Sequence, residues 1–258
     1  MKFLNSYKSY QEDIIVQKII EYIDYSINES VNPREVWNTI VNKIKGLSDS
    51  AKRKIIKYAL GTVLAYSTLA GLYDLINNSN LTKEDKKVAI EVVEDQNGFK
   101  PGYEFTLSQS GWNHIKSEES CKLEAYSIRD GKITVGYGHA EPIHKTELKV
   151  GQKITQEQAD LYLKEDLTKA ADGVRRIFTE WEEKGIEVKI TQTMFDALVS
   201  LAFNSGVSNL RESDVIQKLK KKNYKLAGDS IKNYKIRKNF RGLKTRREKE
   251  SQMFLTKF

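Results

Sequence analysis

One stretch of this chain holds residues whose types and spacing could do chemistry. Glu118-Glu119-Ser120-Cys121-Lys122-Leu123-Glu124-Ala125-Tyr126 is followed by Asp130-Gly131-Lys132-Ile133-Thr134-Val135-Gly136-Tyr137-Gly138-His139. It reads as a carboxylic acid at a helix end facing a tight, glycine-rich hairpin. Glycosidic bonds are cleaved by protonating the leaving oxygen while charge at the anomeric carbon is stabilised. An acid that stays protonated near neutral pH needs an apolar, partly buried setting, and closely spaced glycines let a sugar ring approach the backbone. On residue types alone the bland reading also stands: a glutamate beside a hairpin is an ordinary surface residue, and Asp130 before Gly131 fits a turn aspartate.

The elements that must position these residues follow from periodicity. Leu107 to Glu119 reads as a short helix with Ser108 as its cap, and Lys122 to His139 as a small hairpin sheet. Thr155-Gln156-Glu157-Gln158 is a capping box that opens a helix with Leu163, Leu167, Ala170, Val174 and Ile177 on one face. Ile190 to Phe203 is more apolar and belongs at the centre of its domain, ended by Asn204-Ser205-Gly206. Two or three basic helices finish the chain. The first hundred residues read as helical throughout. Ile15, Ile19, Ile20, Ile23 and Ile27 share a face, Asn32-Pro33-Arg34-Glu35 starts a second helix, a third covers Ala51 to Ile76, and Thr82 opens a fourth. Asp95 to Gly102, with Asn97-Gly98 and Pro101-Gly102, is the candidate linker, dividing the chain into residues 1–98 and 99–258.

Composition excludes several classes. A single cysteine, Cys121, forbids an intramolecular disulfide, and His114, His144 and Cys121 lack metal-ligand spacing, so neither metal nor cofactor is expected. There is no phosphate-binding Gly-Lys-Ser/Thr loop and no Gly-x-Ser-x-Gly elbow. The first twenty residues carry Lys2, Lys8, Glu12, Asp13 and Lys18, so no cleavable signal peptide is expected. The net charge of +8 is concentrated after Arg211, where sixteen Lys or Arg stand against five Asp or Glu. That suits an anionic polymer or a set of solvated helix faces. A nucleic-acid reading would rest on charge alone, and no nucleic acid is expected. Tyr58 to Tyr73 is the most apolar run, at sixteen residues shorter than the roughly 20 of a spanning helix; buried helix and membrane contact are the two readings.

The central stretch resembles the phage lysozymes of the T4 and lambdoid endolysin type. Their pattern is a helix ending in Glu-Gly, then Leu-x-x-x-Tyr, then Gly-x-x-Thr-x-Gly-x-Gly-His. Glu119 takes the Glu position, Tyr126 the Tyr, and Gly131, Thr134, Gly136, Gly138 and His139 the rest, without a gap. Ile154 to Asp166, Ala197 to Gly206 and Gly242 to Glu250 resemble three later segments of that family, so the resemblance covers about 108 to 258. It implies an α+β, mainly helical, lysozyme-like fold: a small β-hairpin lobe and a helical lobe, preceded here by an all-helical N-terminal region. It implies a muramidase acting on bacterial peptidoglycan, with Glu119 as general acid, Thr134 positioning water, and Tyr126, Tyr137 and His139 at the substrate cleft. Ser120 replaces the glycine after the acid. Ile128 stands where the family's second acid is expected, and Asp130 is the carboxylate nearest to replace it. A lytic transglycosylase, which needs no second carboxylate, and a wall-binding or virion structural protein are the rival readings. The N-terminal region would then dock the enzyme to phage structural proteins or a membrane, placing it in the virion or host cytoplasm with action at the periplasm and wall.

Overall fold

In a computed structural model the chain is described at residues 2–29, 31–63, 69–128, 130–235 and 241–256. It divides into two compact units between Phe99 and Lys100. The first is helical: α1 (Lys2–Asn28), α2 (Pro33–Lys43), α3 (Asp49–Val63), α4 (Leu69–Asn77) and α5 (Lys83–Gln96). The second holds β1 (Lys100–Pro101), a 3-10 turn (Gly102–Glu104), α6 (Gln109–Glu118), β2 (Lys122–Tyr126), β3 (Lys132–Gly136), β4 (His139–Pro142) and α7 (Gln156–Glu182), then β5 (Lys189–Ile190), α8 (Gln192–Ser205), α9 (Val207–Arg211), α10 (Asp214–Lys220), α11 (Tyr224–Ile231) and α12 (Arg241–Phe254).

In the first unit the capping chemistry sets the helix starts. The Asn32 side chain accepts from the Arg34 N–H with Pro33 in the first turn, and Thr82 accepts from the Asp85 N–H. Trp37, Ile40, Val41 and Ile44 of the α2 segment are buried with Ile55, Ile56 and Leu72. The buried stripe of α1 keeps Ile19 and Ile23 of the expected one and adds Val16 and Ser26, while Ile15 is 39% exposed at its edge. The side chain of Ile27 lies outside those described. Of the expected third helix, α3 and α4 cover the described parts; residues 64–68, and the side chains of 60–70 in the apolar run from Tyr58 to Tyr73, lie outside those described. Among the described residues no helix is long and apolar enough to cross a membrane.

The expected linker is largely ordered structure. α5 runs to Gln96, Gly98 turns the chain at φ +73°, and Lys100 and Pro101 pair antiparallel with Ile190 and Lys189. A two-residue strand carries no alternation for sequence to reveal.

In the second unit α8 is the centre. Met194, Phe195, Ala197, Leu198, Val199 and Leu201 are all at most 1% exposed, and α7, α12 and α6 pack around it. α7 begins at the Thr155–Gln158 capping box, with both reciprocal hydrogen bonds made, and buries Leu163, Leu167, Ala170, Val174 and Ile177. Strands β2, β3 and β4 form one antiparallel sheet with Thr134 opposite both Tyr126 and Ala140. Gly136 and Gly138 take φ +64° and +97°, values L-residues resist, to reverse the chain around Tyr137. Gly206, at φ +88°, ends α8. Among the described residues four helices follow it rather than two or three; α9 and α10, of five and seven residues, are too short to show a period.

The crossing of α7 and α9 depends on a missing side chain. A Cβ on Gly173 would stand 2.3 Å from Val207 Cγ2. Helix propensity alone favours alanine there by about 1 kcal/mol, but overpacking of this kind costs about 1–3 kcal/mol. Gly173→Ala is expected to lower the urea midpoint, and Gly173→Ala with Val207→Ala to recover most of the loss. An unchanged midpoint in the single variant would show that the crossing is not held this tightly.

Candidate functional site

α6 is held at its start so that its end can be placed. The Ser108 hydroxyl accepts from the Gly111 N–H at 3.0 Å and donates to Asp196 Oδ2 at 2.5 Å, while the Ser108 N–H donates to Asp196 Oδ1 at 3.0 Å. Asp196 lies on α8 and is 2% exposed, so the first turn of α6 is tied to the central helix. Ten residues later the chain leaves the helix and turns extended at Glu119 (φ −107°, ψ 134°).

The Glu119 side chain is 21% exposed, and its Oε1 accepts from Arg246 Nη1 at 2.5 Å. The apolar setting expected for this acid is therefore replaced by a guanidinium. Arg246 is itself 6% exposed and donates through Nε to Glu250 Oε1 at 3.1 Å. Glu250 is fully buried; it also accepts from Ser200 at 2.6 Å and from Arg247 at 2.5 Å. Burial works against the charge of Arg246, but Glu119 and Glu250 outweigh it and hold the guanidinium more firmly protonated than usual.

Glu119 opens onto a cleft of about 450 Å³ whose walls include Tyr137, Gly138, Asp166, Asn204 and Gly206. Of the residues named from sequence, the cleft brings together Glu119 and Tyr137. The Tyr137 hydroxyl accepts from Gln156 Nε2 at 3.0 Å, and Lys116 Nζ lies 5.3 Å from its ring centre. Thr134 is half-buried in the middle strand, opposite Tyr126, whose ring carries Lys122 Nζ at 4.3 Å from its centre. Asp130 is exposed at the tip of the sheet and accepts from the Lys132 N–H at 3.1 Å through Oδ1, the geometry of a turn aspartate. Ile128 is 69% exposed. Asp166 and Asn204 had no chemical signal of their own in the sequence. Each sits within a helix whose apolar neighbours dominate the pattern.

His139 is 6% exposed and held at both nitrogens, by Asp166 Oδ2 at 2.8 Å and by Glu141 Oε1 at 3.2 Å. Its ring stacks on Tyr162, with centres 4.3 Å apart and planes within 3°. It thus ties β4 to α7 behind the cleft. The Asp166 hydrogen bond raises the His139 pKa against the effect of burial. Burial pushes Asp166 up, but His139 and Lys169 outweigh it and the net shift is down. The sign follows for each group. The raised histidine contributes fully below its unfolded value, about 6.5, and loses its contribution as pH rises through its folded pKa. The lowered aspartate contributes above its unfolded value, about 3.9, and loses it as pH falls. The pair is therefore at full strength between about pH 4 and 6.5. His139→Asn is expected to cost about 2 kcal/mol in that window and less as pH rises through the raised pKa of the histidine. Chemical denaturation across pH checks this; wild-type and variant profiles that run parallel would contradict the linkage.

The family model for Phage lysozyme matches residues 116–250. The endolysin of Bacillus phage B103 is 36% identical over 154 residues, covering 58% of this chain and 54% of that protein. The endolysin of Salmonella phage P22 is 34% identical over 151 residues, covering 58% of this chain and 98% of that protein. The chain thus spans about half the length of the first relative and nearly all of the second. An endolysin structure from Escherichia coli O157:H7 phage FAHEc1 is 32% identical with a TM-score of 0.49, covering 58% of this chain and 93% of that one. With the matched segment running from within α6 to within α12, through the cleft residues and the Glu119–Arg246 pair, the chain belongs to the phage lysozyme family.

Proposed function

We propose that this protein is a peptidoglycan muramidase that cleaves the β-1,4 bond between N-acetylmuramic acid and N-acetylglucosamine. The observation that carries the reading is Glu119 at the end of α6, 21% exposed, opening onto a cleft of about 450 Å³ while Arg246 fixes one of its oxygens. A cleft of this size is in the range of ligand sites. Glu119 donates a proton to the leaving oxygen in this reading, through the carboxyl oxygen that Arg246 does not engage. Thr134 positions water, and Asp130 supplies the second carboxylate of an inverting displacement. Tyr137 is the cleft wall, and His139 keeps the sheet and α7 in register behind it. Action is at the host wall, with the N-terminal helical unit bringing the enzyme there by docking to a phage particle or a membrane.

Ile128 favours a second reading. An exposed isoleucine in the family's acidic position can neither activate water nor stabilise positive charge, and a lytic transglycosylase needs only one acid. The products separate the two, because hydrolysis leaves a reducing end and transglycosylation an anhydro sugar.

The test is digestion of purified peptidoglycan by the full chain, with mass analysis. Reducing-end disaccharide peptides are expected, and Glu119→Gln should lower their rate by about 10²–10⁴. Asp130→Asn keeps the oxygen that accepts from Lys132 and removes the charge, so a large rate loss in that variant assigns the second carboxylate. Anhydro ends would replace the muramidase with the transglycosylase, and no release at any pH from mildly acid to neutral would leave a wall-binding protein.

A further inference from the structure

The second unit carries another groove, of about 470 Å³, that the reaction does not use. It lies along the start of α6 and one stripe of α7, with Trp112 from α6 and Lys164, Leu167, Thr168, Ala171 and Arg175 from α7 on its walls. The α7 residues that face the Glu119 cleft are Asp166, Lys169 and Ala170. At 100° per residue the two stripes are about 180° apart, so α7 separates two grooves. Trp112 and Glu119 are seven residues apart, about 10 Å along α6 and its end.

The lining has the chemistry of an acidic carbohydrate site. The Trp112 indole is half-buried and Leu167 and Ala171 are buried, giving an apolar platform. None of the nine lining residues is acidic. Arg175 is ion-paired with Asp172 and donates to the Phe105 carbonyl, so its charge is already met. Lys164 is exposed and makes no ion pair among the described residues. An aromatic face accepts the C–H face of a pyranose, and the exposed cation Lys164 on the same wall favours a sugar that carries a carboxylate on a short arm.

We propose that this groove is a second binding site for the wall polymer, taking a muramyl residue on Trp112 with the carboxylate of its attached peptide directed to Lys164. The proposal rests on the peptidoglycan reading above. A strand held in this groove raises the local concentration of neighbouring strands at the Glu119 cleft, as any linked pair of sites does.

The test is a titration of the ¹⁵N-labelled full chain, followed at the indole N–H resonances of Trp37, Trp112 and Trp181, with Trp112 assigned by Trp112→Phe. The probes are N-acetylmuramyl-L-alanyl-D-glutamate, which is acidic, and N-acetylglucosamine, which is neutral. The Trp112 resonance is expected to move and saturate with the acidic probe. Half-saturation should need about three to ten times more ligand in Lys164→Gln, an exposed substitution that removes no packing, and in wild type with the neutral sugar. Movement confined to resonances around Glu119, no movement at Trp112 up to millimolar probe, or equal response to both probes with no effect of Lys164→Gln would each overturn the site. Wall digestion by the wild type separates this from the proposed function. Cleavage without the Trp112 response removes the groove alone, and the Trp112 response without cleavage removes the muramidase reading alone.

Discussion

A carboxylate with no exposure to solvent is the constraint on which the second unit depends. Glu250 is 0% exposed, and an isolated anion there would cost far more than the fold could supply. It is tolerated because Arg246 and Arg247 both donate to it and Ser200 completes its hydrogen bonding. Two guanidiniums over one carboxylate leave a surplus positive charge. Glu119, at the end of a different helix, meets that surplus through Arg246. Arg247 is turned the other way, toward Asn204 and the Tyr234 carbonyl. α12 is thereby joined to the end of α6 by an ion pair and to α8 by hydrogen bonds from and to charged groups, and removing Glu250, Arg246 or Arg247 would leave a buried charge uncompensated.

This arrangement couples the stability of the unit to the geometry of its site. The same guanidinium that neutralises Glu250 fixes the orientation of Glu119, so the acid cannot be repositioned without disturbing the core. At the opposite end of α6 a second buried carboxylate, Asp196, takes the Ser108 N–H and hydroxyl. The short helix that carries Glu119 is therefore tied at both ends to buried ionic groups, which suits a residue whose work requires position more than mobility.

The sheet is held by different means. Gly136 and Gly138 permit the reversal at Tyr137, and Gly136 brings the strand so close that an added Cβ would lie 3.3 Å from Ala159 of α7. His139, gripped by Asp166 and Glu141 and stacked on Tyr162, then ties the last strand to the same helix. α7 thus serves as the backing of the sheet, one wall of the Glu119 cleft and one wall of the Trp112 groove. Its length of 27 residues and its continuous buried stripe are what allow one element to serve all three.

Much of this was written locally. The caps at Asn32, Thr82, Ser108, Thr155 and Gly206 act between residues a few positions apart, so the helix starts of α2, α5, α6 and α7 and the end of α8 were legible from residue types. The apolar stripe of α7 and the central place of α8 followed from periodicity, and the spacing from Glu119 to His139 carried the family. What the sequence did not disclose lies between residues far apart in the chain or in elements too short to have a period: the pairing of Lys100–Pro101 with Lys189–Ile190, the exposure of Ile15 at the edge of the α1 stripe, and the short α9 and α10. It also could not show that Glu119 meets Arg246, 127 positions away, nor that Asp166 faces both His139 and the cleft. A carboxylate and a guanidinium have the same sequence signature on a solvated surface as in a buried network. Only the folded chain decides which of them share a low-dielectric space, because that depends on which helices pack together and not on any residue's neighbours in sequence.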